Sequence, residues 1–398
     1  MTTADQDVCP YPFPEAPRLE LAPEYGRFRR SGGLGRVEMP YGGQAWLATR
    51  LADVKFVLGD PRFSRAAALN EDVPRTMPSP ENTQTLLTSD APEHTRLRRT
   101  VAGEFSVRRI ERLRPAVRDV MDRLVDTVVE KGPPADFVGD IALPLALSGL
   151  SELFGVPEEE REEFHALASR ATGAVYHGFD DFMAAQRSLE DYVDELARRR
   201  RERPADDLMG VLAAACDAGT LSGPELAGLA GNVVSGGVET TTNQLSGYVF
   251  TLLSQRDKWA ELVASPDLVS SAVEELLRLT PLGLVTFCRV ATEDVEVGAI
   301  TVRAGEAVVV QLAEANRDDD VFEDAERVDL ARGHNPHVAF GHGVHRCLGA
   351  PLARIELREG LAALVNRLPE LRLAVPVEEV PFKLGRLLRG PEALPIAW

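Results

Sequence analysis

Apolar residues recur at i, i+3 and i+4 along much of the chain, as in Leu113, Val117, Val120, Met121, Leu124, Val125 and Val128, a run that stops at Lys131-Gly132. This period predicts an amphipathic helix closed by a glycine. It returns in Leu268, Val269, Ala272, Val273, Leu276 and Leu277 before Thr280-Pro281, and again in Leu348, Leu352, Ile355, Leu361, Leu364 and Leu368. The longest candidate opens on Ser222-Gly-Pro-Glu225, a capping box with proline in the first turn, and reaches about Gln255. At 1.5 Å per residue that is roughly 50 Å of helix. Strand-like pieces are short and fall in three places: Arg36 to Thr49 around Gly42-Gly43, Val285 to Val310, and the last thirty residues. The pattern predicts a mainly α fold with a small satellite β-sheet. No internal repeat or linker divides it, so residues 1–398 are read as one domain, with the Pro-rich residues 1–20 extended.

Composition narrows the partners. The chain has 398 residues, 27% charged, with a net charge of −18. That balance argues against nucleic acid or an anionic membrane, both of which reward basic surfaces. Cys9, Cys216, Cys288 and Cys347 include no CxxC pair, so a disulfide framework is not indicated and a reducing cytoplasm is expected. The polar, Pro-rich start does not read as a signal peptide. The apolar run Ile141 to Leu150 holds Pro144 and falls short of the ~20 residues that span a bilayer.

Residues 340–354 carry the strongest chemical signal. His334, His337, His342, His345 and Cys347 put five metal-binding side chains in fourteen residues, yet without the second Cys/His pair of a zinc finger. Gly341 and Gly343 permit an irregular loop that approaches a flat partner closely. The apolar period beginning at Leu348 predicts a helix directly after Cys347, whose outward-pointing N–H groups would stabilise a thiolate. The bland alternative is a buried structural cysteine.

The segment Phe-Gly-His-Gly-Val-His-Arg-Cys-Leu-Gly, Phe340 to Gly349, resembles the haem-binding signature of the cytochrome P450 monooxygenases. The resemblance implies a single-domain fold with haem b (protoporphyrin IX iron) between the long helix and the helix after the cysteine. Cys347 would be the proximal iron ligand, a thiolate whose electron donation favours O–O cleavage. His345 would reach a haem propionate, and Phe340, Gly341 and Gly349 would shape the ligand loop, Phe340 packing beside the sulfur. Glu275 and Arg278, i and i+3 on a helix, resemble the family's buried Glu-x-x-Arg pair, with Arg327 or Arg332 as its third member. The stretch Asp90 to Arg99 resembles the start of a helix that offers His94 and Arg98 to propionate, and Arg289 matches a further propionate ligand. Donors of this kind suit a dianionic edge.

In the middle of the longest helix stands Ser235-Gly-Gly-Val-Glu-Thr-Thr-Thr242, two glycines and three threonines that oppose their own local structure. Close packing of a neighbour on the glycines is one reading. The stretch also resembles the family's oxygen-binding motif, with Gly236, Gly237, Glu239 and Thr240 at the matching positions. Dioxygen activation needs protons, and a threonine hydroxyl with an acid behind it can relay them from water. Asn316-Arg-Asp318 matches the family too, although Asp319 stands where proline is usual.

Those likenesses imply a haem-thiolate oxidase that takes O2 as co-substrate and two electrons from a ferredoxin and ferredoxin reductase, acting as a monomer without membrane. The reaction implied is hydroxylation, epoxidation, or oxidative coupling or cyclisation of a natural-product intermediate. The alternative is a non-catalytic haem-thiolate sensor or carrier, which would have no use for Glu239 and Thr240. The arginines from Arg96 to Arg118 suggest a docking face for an acidic ferredoxin, with Arg346 and Arg354 nearby. Pocket walls implied by the family bring in Asn82, Thr83, Val175, Val285, Thr286, Leu387 and Leu388. With Asn232 and Ser235, the polar ones among them suggest a substrate carrying hydrogen-bonding groups on a rigid apolar frame.

Overall fold

The computed structural model describes residues 8–70, 72–76, 85–173, 179–283, 288–386 and 388–398. They group into two compact units, neither a continuous stretch of chain. The first takes the described residues of Met1–Ala91, Glu274–Cys347 and Leu387–Arg389; the second takes those of Pro92–Val273, Leu348–Arg386 and Gly390–Trp398.

A six-stranded sheet organises the first unit. Its spatial order is Cys9–Pro10, Leu34–Glu38, Gln44–Ala48, Ala307–Val310, Arg289–Ala291 and Phe63–Ser64. The central pair, Trp46 to Ala48 against Val308 to Val310, is parallel. Alternate side chains point to opposite faces of a strand. Ala48, Val308 and Val310 therefore join one apolar cluster with Leu51, Val54 and Phe63. Leu47, Ala307 and Val309 join another with Tyr11, Phe13 and Tyr25. Both faces are thus covered, as a buried parallel pair requires. The described chain is mainly helical with small sheets, as the periodicity predicts; what differs is the place of this sheet at the centre of its own unit. Local periodicity could not reveal it, because the order joins strands some 260 residues apart. Of the last thirty residues, Pro395–Ala397 lies at the centre of a separate three-stranded sheet of the second unit, between Arg372–Leu373 and Ala135–Asp136.

The second unit is largely helical. Arg114–Lys131 ends at Gly132, whose positive φ of 77° suits glycine and whose amide donates back to the Val128 carbonyl at 3.1 Å. The longest helix is Gly223–Ser254, and both halves of its capping box form: the Ser222 amide donates to Glu225 Oε2 at 2.8 Å and the Glu225 amide to Ser222 Oγ at 3.4 Å. Its residues Thr241 to Phe250 are all buried, so this half is enclosed on every side. It packs on Leu143–Phe154 and on Ala350–Arg367. Among the described residues, no helix is long and apolar enough to cross a membrane.

One polar hub fixes the irregular chain between Asn316 and Cys347. Glu275 and Arg278, both side chains fully enclosed, pair at 2.8 Å. Arg278 also donates to the carbonyls of Asn316 (2.8 Å) and Ala325 (2.6 Å). Glu275 accepts further bonds from the Asp329 amide, Asn335 Nδ2 and Arg332 Nε. The third member is therefore Arg332; Arg327 turns a 62% exposed side chain toward Asp324 instead. Arg332→Ala should lower unfolding free energy by about 2–3 kcal/mol, two charge-assisted bonds being lost. Arg327→Ala should change it by less than ~0.5 kcal/mol. Urea denaturation of both variants checks the ordering.

Candidate functional site

In the first unit the loop before Cys347 is built around two left-handed glycines, Gly341 (φ 69°) and Gly343 (φ 71°). They face different surroundings. A Cβ on Gly343 would collide with the Leu58 carbonyl oxygen, whereas one on Gly341 would meet nothing within 4 Å among the described residues. So Gly343 is needed for packing against the protein, and Gly341 leaves space open. The Cys347 amide donates to the Phe340 carbonyl at 2.8 Å, closing the loop. Of the four cysteines only Cys347 is exposed.

The helix that follows starts later than its apolar period predicts. It spans Ala350–Arg367 with Gly349 as N-cap and Pro351 in the first turn, so Cys347 lies two residues outside the cap. Proline suits that first turn because its missing N–H would have no helical partner there. Cys347 therefore does not sit at the first turn, where the sequence places it. His337 is occupied structurally: its Nδ1 accepts from the Ala339 amide at 3.2 Å, which leaves Nε2 to donate to Glu274 at 3.1 Å.

Arg289 is buried on its strand with Arg65, also buried, beside it. Desolvation first, and then the Arg65 charge, push the Arg289 guanidinium down to about 10, with Asp90 acting in the opposite sense. Its one described hydrogen bond, to the Phe63 carbonyl, is long at 3.5 Å. Burial raises Asp90, but bonds from the Ser64 hydroxyl and the Arg65 and Ala66 amides, helped by the His345 charge, bring it below its ordinary value. Arg289, Arg65, Asp90 and His345 thus share one electrostatic neighbourhood. Two enclosed guanidiniums there can accept an additional anion with gain. Sequence reasoning missed Arg65 and gave Asp90 no role, since nothing local ties residues 65 and 90 to residue 289.

The second unit holds His94, Arg98 and the candidates on the long helix. His94 is buried and Arg98 half-buried on Glu93–Ala102, one turn apart and on one face. On the long helix the Thr240 hydroxyl donates to the Gly236 carbonyl one turn back. Gly236 has open space where a Cβ would be, but a Cβ on Gly237 would stand 2.8 Å from Leu150 Cδ2. Close packing therefore explains Gly237 and not Gly236. Glu239 and Asn243, one turn apart, both face Lys383, whose Nζ lies 3.5 Å from Glu239 Oε1 and 2.8 Å from Asn243 Oδ1. Lys383 went unnoticed in the sequence because it comes from a distant loop. Among the implied pocket residues, Ser235 is exposed, Leu388 bridges to Gly283 in the first unit, and the Asn232 side-chain nitrogen is buried with no described hydrogen-bond partner. Asn82, Thr83, Val175, Val285, Thr286 and Leu387 lie outside the described residues.

The arginine concentration is largely neutralised within its unit. Arg109 pairs with Glu104 at 2.9 Å and with Asp206; Arg114 pairs with Glu111 at 2.7 Å and with Glu359; Arg118 reaches Glu359 at 2.8 Å. Arg99 and Arg108 are exposed, and so are Arg112, 3.4 Å from Asp206, and Arg118. The density of basic residues in the sequence overstates the positive surface, because the acids that pair with them come from elsewhere in the chain.

Comparison with known proteins places these features. A sequence model of the Cytochrome P450 family matches residues 255–391. Nocardicin C N-oxygenase from Nocardia uniformis subsp. tsuyamanensis is 47% identical over 394 residues, 98% of this chain and 99% of that protein. Mycinamicin IV hydroxylase/epoxidase from Micromonospora griseorubida is 42% identical over the full length of both. The crystal structure of the LnmA cytochrome P450 hydroxylase from the leinamycin biosynthetic pathway of Streptomyces atroolivaceus superposes with a TM-score of 0.93 at 43% identity, covering 98% of this chain and 100% of that one.

Alanine at Gly341 should cost about 1–2 kcal/mol for the left-handed backbone alone. Alanine at Gly343 should cost more, since the Leu58 carbonyl must also move. Denaturation midpoints of the two variants test the order; equal losses would contradict the packing assigned to Gly343.

Proposed function

Because the chain belongs to the cytochrome P450 family, we propose that it oxidises a small organic intermediate of natural-product biosynthesis with dioxygen, using haem b ligated by Cys347. The observation that carries this reading is the Cys347 thiol, the exposed one of four, presented by a loop closed through the Phe340 carbonyl. N-oxygenation, hydroxylation and epoxidation are the reactions named for the relatives above. The two electrons come from a ferredoxin and its reductase, as the family likeness implies. Neither compact unit is continuous in the chain, which supports residues 1–398 working as one oxygenase domain.

The donor set suits haem. A soft thiolate is an iron ligand, and in the same unit the buried Arg289 beside Arg65 suits a propionate carboxylate, with His345 in that neighbourhood; the roles of His94 and Arg98 as further donors rest on the family likeness alone. Open space at Gly341 leaves room beside the loop. Once bound, the haem supplies dioxygen binding and the oxidising chemistry.

The chain's own residues manage protons and orientation. Thr240 keeps its hydroxyl hydrogen on the Gly236 carbonyl and, by rotating about its side chain, offers it elsewhere. Glu239 can take a proton from water and pass it on. The buried Asn232 nitrogen supports a substrate with a hydrogen-bond acceptor. Thr240→Ala should preserve the substrate-induced change in the haem spectrum while product per electron falls by about one to two orders of magnitude and peroxide rises. Mass spectrometry after turnover with labelled dioxygen identifies the reaction: labelled oxygen in the product means insertion, none means coupling or cyclisation. Undiminished product yield in the variant would remove Thr240 from proton delivery, and failure to oxidise any of a panel of biosynthetic intermediates would favour a sensor or carrier.

A further inference from the structure

We propose that Lys383 is a positioning residue for Glu239, a latch that holds the carboxylate and the Asn243 amide on one face of the long helix. The assignment rests on the oxygenase reading above and extends it to a residue that the motif does not contain.

The geometry is built from three directions. Glu239 and Asn243 are i and i+4 and so present their side chains together. Lys383 meets both: it donates to Asn243 Oδ1 at 2.8 Å and approaches Glu239 Oε1 at 3.5 Å. The Lys383 and Glu239 side chains are 12% and 17% exposed, and Asn243 is buried. A charge pair so enclosed is screened less than a surface pair.

The loop that carries Lys383 is itself fixed. The Lys383 amide donates to the Gly390 carbonyl at 3.1 Å, and Phe382 forms a bridge with Pro391. The Phe382 ring also meets Phe250 of the long helix edge-on, with centroids 4.9 Å apart. Gly390 has no alternative here, because a Cβ would lie 2.7 Å from Asn243 Cγ. Loop and helix therefore touch at the residue that Lys383 binds. Pro381, Leu384 and Gly385, its neighbours in the chain, are exposed, so the latch stands near water. While the ammonium holds it, the Glu239 carboxylate stays at the water end of the relay; when the pair opens, it can turn and pass on a proton taken from solvent. Burial lowers the Lys383 amine, Glu239 acts against that, and Arg386 and Glu392 are the other charged groups facing it.

The chain contains four lysines, Lys55, Lys131, Lys258 and Lys383, so lysine-labelled holoprotein gives few NMR signals. The signal absent from Lys383→Met identifies residue 383. Its titration midpoint should fall by about one unit in Glu239→Gln, where the attracting charge is gone; an unchanged midpoint would overturn the pairing. In turnover, Lys383→Met should divert several-fold more electrons to peroxide with substrate binding unchanged, and Lys383→Arg should restore most of the coupling. A Lys383→Met enzyme as well coupled as wild type, beside an uncoupled Thr240→Ala, would overturn the assignment alone. Full coupling in Thr240→Ala as well would instead sink the relay on which it rests. Loss without rescue by arginine would also overturn the latch, since a held carboxylate needs only the cation.

Discussion

A carboxylate with no access to water, Glu275, is the constraint on which the first unit depends. Buried charge is tolerable only when paired and hydrogen-bonded. Here Arg278, Arg332, Asn335 and the Asp329 amide surround it. The same Arg278 binds the carbonyls of Asn316 and Ala325, in a stretch with little regular structure to satisfy them. Asn316 in turn accepts the Val338 amide through its side chain at 2.8 Å, two residues before the cysteine loop opens. The exposed thiol is therefore held by a chain of polar contacts reaching back to one enclosed carboxylate.

Much of this was legible where the signal is local. The capping box at Ser222, the glycine stop at Gly132 and the loop spacing from Phe340 to Gly349 each depend on residues within a few positions of one another. What could not be read depends on distant partners. Arg327 and Arg332 are equal candidates by spacing, and only packing sends one inward. The adjacent glycines Gly236 and Gly237 look interchangeable, yet only one faces Leu150. Arg65 beside Arg289 and Lys383 beside Glu239 are long-range meetings that no periodicity encodes. The departure at Asp319 also gains a reason: its carboxylate pairs at 2.8 Å with the buried Arg29, which Glu314 holds at 2.7 Å. A proline there would leave that guanidinium with one acid fewer.

Charge placement follows a common rule in both units. Enclosed cations are either matched by acids, as Arg278 is by Glu275 in the first unit and Arg200 by Asp207 in the second, or left short of them, as at Arg289. The matched ones build the fold. The short one marks where an anionic group would bring a gain, which is why the Arg289 neighbourhood, more than the count of arginines from Arg96 to Arg118, points to a ligand.

The proposed oxygenase chemistry requires the sulfur of Cys347 bonded to haem iron as thiolate. Its most direct test is the absorption spectrum of the reduced carbon monoxide adduct of the haem-loaded protein, compared with Cys347→His. Wild type should show the strongly red-shifted band of a thiolate-ligated haem, and the variant should bind haem with that band replaced by one typical of histidine ligation. A wild-type adduct with the unshifted band, or a variant that keeps the shifted one, would contradict the assignment.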